Sequence, residues 1–213
     1  MAEAIDYKHI GSRPVRPDGV DKVTGRAEFG GDVSLPGMII GKILRSPHAH
    51  ARIKSIDITD ALAIPGVHAV ITGEDFPGGG ISGEIDGEGG GSISDQAKNV
   101  IARDKVLYHG HALAAVAAIS DRAADRALDA IKVEYEVLSP VLDILEAIDP
   151  DSVLVNENNY TKLPEKPDRP SNIANVGNLI RGDIQEGFGR ADVVIEREYV
   201  CPMTHQGYIE PHS

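Results

Sequence analysis

The sequence predicts an α+β fold, a mixed and largely antiparallel sheet carrying a few helices. Between Met38 and Thr72, short apolar or alternating runs are separated by Gly and Pro turn signals, the pattern of half-buried strands. One longer stretch, from Asp121 to Ile131, has a helical period, and strand-like runs lie on both sides of it.

Residues 1 to about 20 hold Gly11, Pro14, Pro17 and Gly19 without periodicity and read as an extended arm. From Ala27 a β-rich unit is expected, punctuated by Gly30, Gly31, Pro36 and Gly37, with Pro36-Gly37 a turn. Met38 to Leu44 is an apolar run interrupted only by Gly41 and Lys42 and reads as a strand. Ala51 to Ile58 alternates and is expected as its antiparallel partner. Thr59 can cap a short helix through Ile64, which Pro65-Gly66 ends, and Val67 to Thr72 returns to strand.

Residues 77 to 94 contain eight of the 23 glycines, interleaved with Glu84, Asp86 and Glu88. The spacing matches neither a phosphate cradle nor a calcium loop, so the composition predicts a mobile surface loop. Ala112 to Ile119 reads as a buried strand, followed by a helix capped by Ser120 or Asp121. Ala124, Ala127, Leu128 and Ile131 share one face of that helix, and Asp121, Arg122, Asp125, Arg126 and Asp129 form its solvated side. Lys132 to Val137 completes a β-α-β order. Residues 156 to 178, rich in Asn and Pro, read as a connector, and Val193 to Val200 alternates like a final strand.

A chain of 213 residues can bury a substantial core, and its composition, 41% hydrophobic and 25% charged, is that of a soluble globular protein. The net charge of −12 opposes non-specific binding to nucleic acid. A single cysteine, Cys201, excludes an intrachain disulfide framework and fits a reducing compartment. The N-terminus, with Glu3, Asp6 and Lys8, lacks the apolar core of a signal peptide. No apolar run approaches the ~20 residues that span a bilayer. A cytoplasmic location without membrane attachment is expected.

Eight histidines raise the question of a metal. His48-Ala-His50 and His109-Gly-His111 are both HxH pairs, which on a strand would place two imidazoles on one face. Neither is followed by a CxxC or HExxH, so third and fourth ligands are lacking. A turn role for His48, after Ser46-Pro47, is the plainer reading. His205, Glu210 and His212 have no recognised ligand spacing. Cys201, next to Pro202 on the alternating run, reads as a small buried hydrophobe, and Asp183 after Gly182 as a turn or helix cap. The residues alone define no catalytic constellation and no metal site.

Longer motifs carry more. Lys22-Val-Thr-Gly-Arg-Ala-Glu-Phe, Leu35-Pro-Gly-Met, Arg45-Ser-Pro-His-Ala-His-Ala-Arg-Ile and Pro65-Gly-Val-His-Ala-Val-Ile-Thr-Gly-Glu-Asp occur in order, followed by Tyr108-His-Gly-His-Ala-Leu-Ala-Ala-Val-Ala-Ala. This series resembles the N-terminal part of the large, molybdopterin-binding subunit of the xanthine dehydrogenase and aldehyde oxidase family, with its a/b hammerhead domain. Gly182-Asp-Ile-Gln-Glu-Gly-Phe-Gly-Arg-Ala-Asp and His205-Gln-Gly-Tyr-Ile-Glu-Pro-His resemble the entry into the family's molybdenum-cofactor domains. One departure stands out: the family usually has Gln or Glu and then Pro after Gly110, where this chain has His111 and Ala112.

The resemblance implies an arm at 1–20, a hammerhead domain at 21–148 enclosing the 77–100 loop, a connector at 149–180, and the start of a molybdopterin-binding domain at 181–213. It implies a hydroxylase or dehydrogenase, with branches that oxidise carbon monoxide or reduce hydroxybenzoyl-CoA. In the complete enzyme a molybdenum-pterin cofactor works with iron–sulfur clusters and FAD on partner domains or subunits. The catalytic glutamate and pterin-binding loops of that family lie beyond these motifs. This chain is therefore expected to be an N-terminal fragment or split subunit with a structural role, binding no cofactor alone and contributing no catalytic residue. Its expected partners are the molybdopterin-binding remainder and the iron–sulfur and FAD subunits, and self-association of the isolated chain is expected. The rival expectation is a free-standing hammerhead module that binds a partner without enzyme activity.

Overall fold

The computed structural model describes residues 8–76, 84–85, 91–92 and 99–208, with 84–85 and 91–92 described by backbone only. The chain divides into two compact units, Gly37–Val194 and Met1–Pro36 with Ile195–Ser213.

In the smaller unit, the region read as an arm leads into a helix, α1 (Gly19–Thr24), which sequence periodicity did not reveal. Six residues are too few to show a helical period. The helix ends where Gly25 adopts φ +72°, and the Arg26 N–H donates back to the Asp21 carbonyl at 2.9 Å. Val193 to Val200, read as a final strand, is not one in the structure: this stretch has no ladder partner among the described residues, and its large apolar side chains are exposed. An alternating pattern specifies which way side chains point, but a strand exists only where another strand satisfies its backbone.

The larger unit is built on two three-stranded antiparallel sheets. The first has the order β1 (Ile40–Arg45), β7 (Ala112–Ala118), β3 (Val67–Thr72), with β7 in the middle. The second has the order β6 (Lys105–Val106), β2 (Ala51–Asp57), β8 (Lys132–Val137). A two-stranded pair, β4 (Glu84–Ile85) and β5 (Gly91–Ser92), lies within the glycine-rich segment; the rest of that predicted loop falls outside the described residues.

The expected pairing of Met38–Leu44 with Ala51–Ile58 is therefore corrected: β1 pairs with β7, and β2 with β8. The intervening residues form a corner, not a hairpin turn. Ser46 and His50 bond to 110–111 and 138, Pro47 has no N–H to donate, and the chain passes from one sheet to the other. For the same reason β7 and β8 flank a helix but belong to different sheets, so the β-α-β order does not make a single parallel unit.

That helix, α3 (Asp121–Ala130), starts where the Ser120 hydroxyl accepts the Ala123 N–H at 3.3 Å. Its buried face, Ala123, Ala124 and Ala127, is nearly all methyl, so it can lie close against Ala114, Val116 and Ala118 of β7. Lys42 on β1 reaches across to Asp125 at 2.6 Å and Asp121 at 3.2 Å. The short helix α2 (Thr59–Leu62) brings Ala61 into the same core, but Thr59 is not its cap; the Asp57 carboxylate accepts the Thr59 N–H at 2.9 Å. A second core joins Leu113 of β7 to Ala51, Ala102 and Val106, and Leu44, Ile56 and Val133 pack against both.

Two further short helices follow, α4 (Ile144–Ala147) capped by Asp143, and α5 (Ile184–Gly189) capped by Asp183 as expected. Among the described residues no helix is long and apolar enough to cross a membrane.

Candidate functional site

Because β1 and β7 are antiparallel, the exit of β1 lies beside the entry of β7. This brings both HxH segments together. The Ser46 N–H donates to the His111 carbonyl at 2.9 Å, and the Gly110 N–H returns a bond of the same length to the Ser46 carbonyl. Arg45 adds a bond from Nη1 to the Gly110 carbonyl at 3.0 Å. Neither HxH lies on a strand; both are in turns, so neither presents two imidazoles to one face.

His111 is fully buried. Its Nε2 lies 2.7 Å from the Asn99 carbonyl and its Nδ1 accepts the Leu107 N–H at 3.3 Å. A carbonyl only accepts and an amide only donates, so these partners select the neutral ring with its proton on Nε2. Burial pushes the imidazole below its ordinary pKa, with the Asn99 carbonyl opposing. Tyr108 stacks on the ring at 4.4 Å between centroids.

The other pair is also held by neighbours. His50 is 2% exposed, and its Nδ1 lies 2.7 Å from the Ser139 carbonyl, which makes Nδ1 the donor. Its Nε2 is buried and meets no hydrogen-bond partner among the described residues. The His50 carbonyl accepts the Leu138 N–H, tying the corner to the end of β8. The Ser46 hydroxyl donates to the His48 carbonyl and accepts the His48 N–H, both at 3.0 Å, closing a tight local turn. The His48 ring meets the Tyr135 ring edge-on at 4.8 Å. Burial raises the Tyr135 phenol, a shift partly opposed by the Ser46 side chain.

Three more side chains tie separate segments together and gave no periodic signal in the sequence. Arg103 donates to the Gly73 carbonyl from Nε at 3.1 Å and Nη2 at 2.8 Å, and also to the Phe76 carbonyl. A side chain on Gly73 would strike the Ala102 carbonyl and Arg103 Cα, each 2.8 Å from where its Cβ would be. In the connector, Asn172 donates to the carbonyls of Ala147 and Val153 and accepts the Val155 N–H. Lys105 on β6 reaches Glu157 at 2.9 Å, holding the Glu157 carboxyl below its usual range.

The remaining candidates do not gather here. His109 is exposed in its turn. His205 accepts the Gly207 N–H at 2.9 Å; Glu210 and His212 fall outside the described residues. Cys201, expected to be buried on a strand, is exposed and in no strand, because the strand that would have buried it lacks a partner. Among the described residues no three His, Cys, Asp or Glu side chains are grouped to hold a metal ion. The polar atoms of the corner are mostly bonded to backbone, which leaves few of them to hold a pterin. The corner does not fit a molybdenum-pterin cofactor. What the corner does is mechanical: it locks the turns after β1 and before β7 to each other and to β8.

This architecture, two small antiparallel sheets joined by a corner and backed by an alanine-faced helix, is the a/b hammerhead domain of molybdenum-containing dehydrogenases. Residues 24–139 match the model of the aldehyde oxidase and xanthine dehydrogenase a/b hammerhead domain, and the chain belongs to that family. It is 37% identical over 196 residues to a probable xanthine dehydrogenase subunit from Bacillus subtilis (strain 168), covering 92% of this chain and 24% of that relative. It is 34% identical over 208 residues to the nicotinate dehydrogenase large molybdopterin subunit of Eubacterium barkeri, covering 98% and 44%. Among solved structures, the Cu,Mo-CO dehydrogenase in its carbon monoxide reduced state superposes with a TM-score of 0.61 at 30% identity, over 86% of this chain and 23% of that one. The chain thus spans between about a quarter and just under a half of the length of these curated relatives.

Proposed function

We propose that this chain is the N-terminal part of the molybdopterin-binding large subunit of a molybdenum-dependent oxidoreductase. Whether it acts as a split subunit or within a longer polypeptide, its role is architectural. It packs against the cofactor domains, shapes access of substrate to them, and contacts iron–sulfur and FAD subunits in the cytoplasm. The domain arrangement that accompanies this reading is a hammerhead at 21–148, a connector at 149–180, and the opening of the pterin-binding domain at 181–213.

The observation that carries it is the distribution of exposed apolar side chains. Large apolar residues outside the two cores remain open to solvent: Leu142, Ile144 and Leu145 around α4, and Leu179, Ile184 and Phe188 around α5. Large exposed apolar patches mark interaction sites, and these side chains are available to form them. The reading is supported by relatives that are mostly about four times longer than the part this chain matches.

The test is purification from a host that makes molybdopterin, with the molybdopterin-binding remainder of the subunit supplied from the same organism. Molybdenum and pterin fluorescence that travel with a tag on this chain are expected. A metal-free monomer that ignores the remainder and binds a defined ligand instead would replace this reading with that of a free-standing module.

A further inference from the structure

Among the described residues the first sheet carries α3 on one face, while the other is covered at Leu113 by the second core and lies open beyond it. Register places Ile43, Ala115 and Ile71 in one row across β1, β7 and β3, and Gly41, Ala117 and Ala69 in the next. Neighbours in register point to the same face. Lys42, Ala114, Val116 and Val70, at the alternate positions, point to α3. The six residues in those two rows are all apolar, and none carries a charge. Ile43 is 47% and Ile71 38% exposed, Gly41 and Ala69 are exposed, and Ala115 and Ala117 are half-buried.

An antiparallel sheet with one wet face normally alternates apolar and polar residues. β7 reads Ala-Leu-Ala-Ala-Val-Ala-Ala, apolar on both faces, which is the pattern of a strand buried on both sides. Two isoleucines flank a floor of Ala and Gly, a shallow trough into which an apolar ridge fits closely.

We propose that this trough docks an apolar element of the molybdopterin-binding remainder of the large subunit. The inference rests on the subunit reading above and names the face that makes the contact. The occupant follows from size. With strands ~4.8 Å apart and ~3.3 Å per residue, three strands by two rows give a footprint on the order of 100–200 Å². A stable interface between independent copies needs about 800 Å² per partner. The trough is too small to hold a second copy and suits an element already anchored through other contacts. The relatives supply such an element, since three quarters of the Bacillus subtilis relative lies outside the part matched by this chain.

The experiment uses this chain, tagged, with the remainder supplied from the same organism, and measures molybdenum retained per chain. Ala117→Glu and Ile71→Lys are expected to lower retention at least tenfold, while Ala117→Ser keeps it. In a Cys201→Ser background, a cysteine placed by Ala69→Cys should react with maleimide at least tenfold more slowly in the assembly than in the isolated chain. Unchanged retention and unchanged labelling in an assembly that forms overturn the docking face and leave the subunit reading standing. If the unaltered chain retains no molybdenum, the subunit reading itself fails. A concentration-dependent dimer abolished by Ala117→Glu would also overturn the proposal, assigning the trough to a second copy.

Discussion

The Ser46 N–H donates to the His111 carbonyl across 2.9 Å, and this bond joins two histidine-bearing segments 65 residues apart in sequence. Through it the corner between the two sheets becomes one hydrogen-bonded unit. The histidines that resemble ligand pairs in sequence are parts of that unit.

His111 occupies a position where a donor and an acceptor are both required. A glutamine amide offers both, so His111→Gln is expected to lose no more than about 1 kcal/mol. His111→Ala leaves the Leu107 N–H and Asn99 carbonyl without their side-chain partner and opens a cavity, at a loss of about 3 kcal/mol. Urea denaturation of the two variants separates these outcomes.

The same residue predicts a pH dependence. Its folded pKa lies below the ordinary value of 6.5, so the folded state binds fewer protons than the unfolded state. Stability from this group is intact above pH 6.5, falls as pH drops below that value, and levels off once the folded ring also protonates. Thermal melts from about pH 7.5 to about pH 5 should show this slope, and His111→Gln should remove the histidine contribution.

Gly73 sits where no larger residue fits. Gly73→Ala forces its methyl against the backbone of Ala102 and Arg103 and disturbs the Arg103 bonds to the Gly73 and Phe76 carbonyls. A loss of about 1–3 kcal/mol is expected, read as a lower denaturation midpoint at unchanged slope.

Asn172 organises a connector that has no apolar period. Asn172→Ala removes three hydrogen bonds to residues 147–155. A loss of roughly 1–3 kcal/mol in local order is expected, seen as faster proteolysis between residues 147 and 172 while the two cores keep their melting behaviour.

Val193 to Val200 alternates like a strand yet has no partner among the described residues. In the isolated chain its amides should exchange at rates near those of a free peptide. On assembly with the molybdopterin-binding remainder, protection should appear at alternate residues, as in an edge strand. Hydrogen exchange with and without the remainder tests this.

Sequence periodicity located β3 and β8 to the residue, and the α3 face through Ala124, Ala127, Leu128 and Ile131, because those signals are local. The helix start at Ser120 or Asp121 and the turn at Gly37 were legible for the same reason, since each needs only its immediate neighbours, and the structure makes Ser120 the cap. Pairing was not legible. Nothing local says that β1 joins β7 and not the next strand, since that choice is made by Ser46 and His50 bonding to segments far along the chain. Nor could spacing show that His50 and His111 face backbone carbonyls.

By itself, then, the sequence determined the family, the α+β class and most of the local elements, because ordered motifs and side-chain periods are properties of neighbouring residues. Only the tertiary structure decided the sheet order, the use of the histidines as locks, and the sheet face on which Ile43 and Ile71 are left open. Those depend on which distant backbone groups find one another, and a hydrogen bond between residues 46 and 111 leaves no mark in the spacing of either segment.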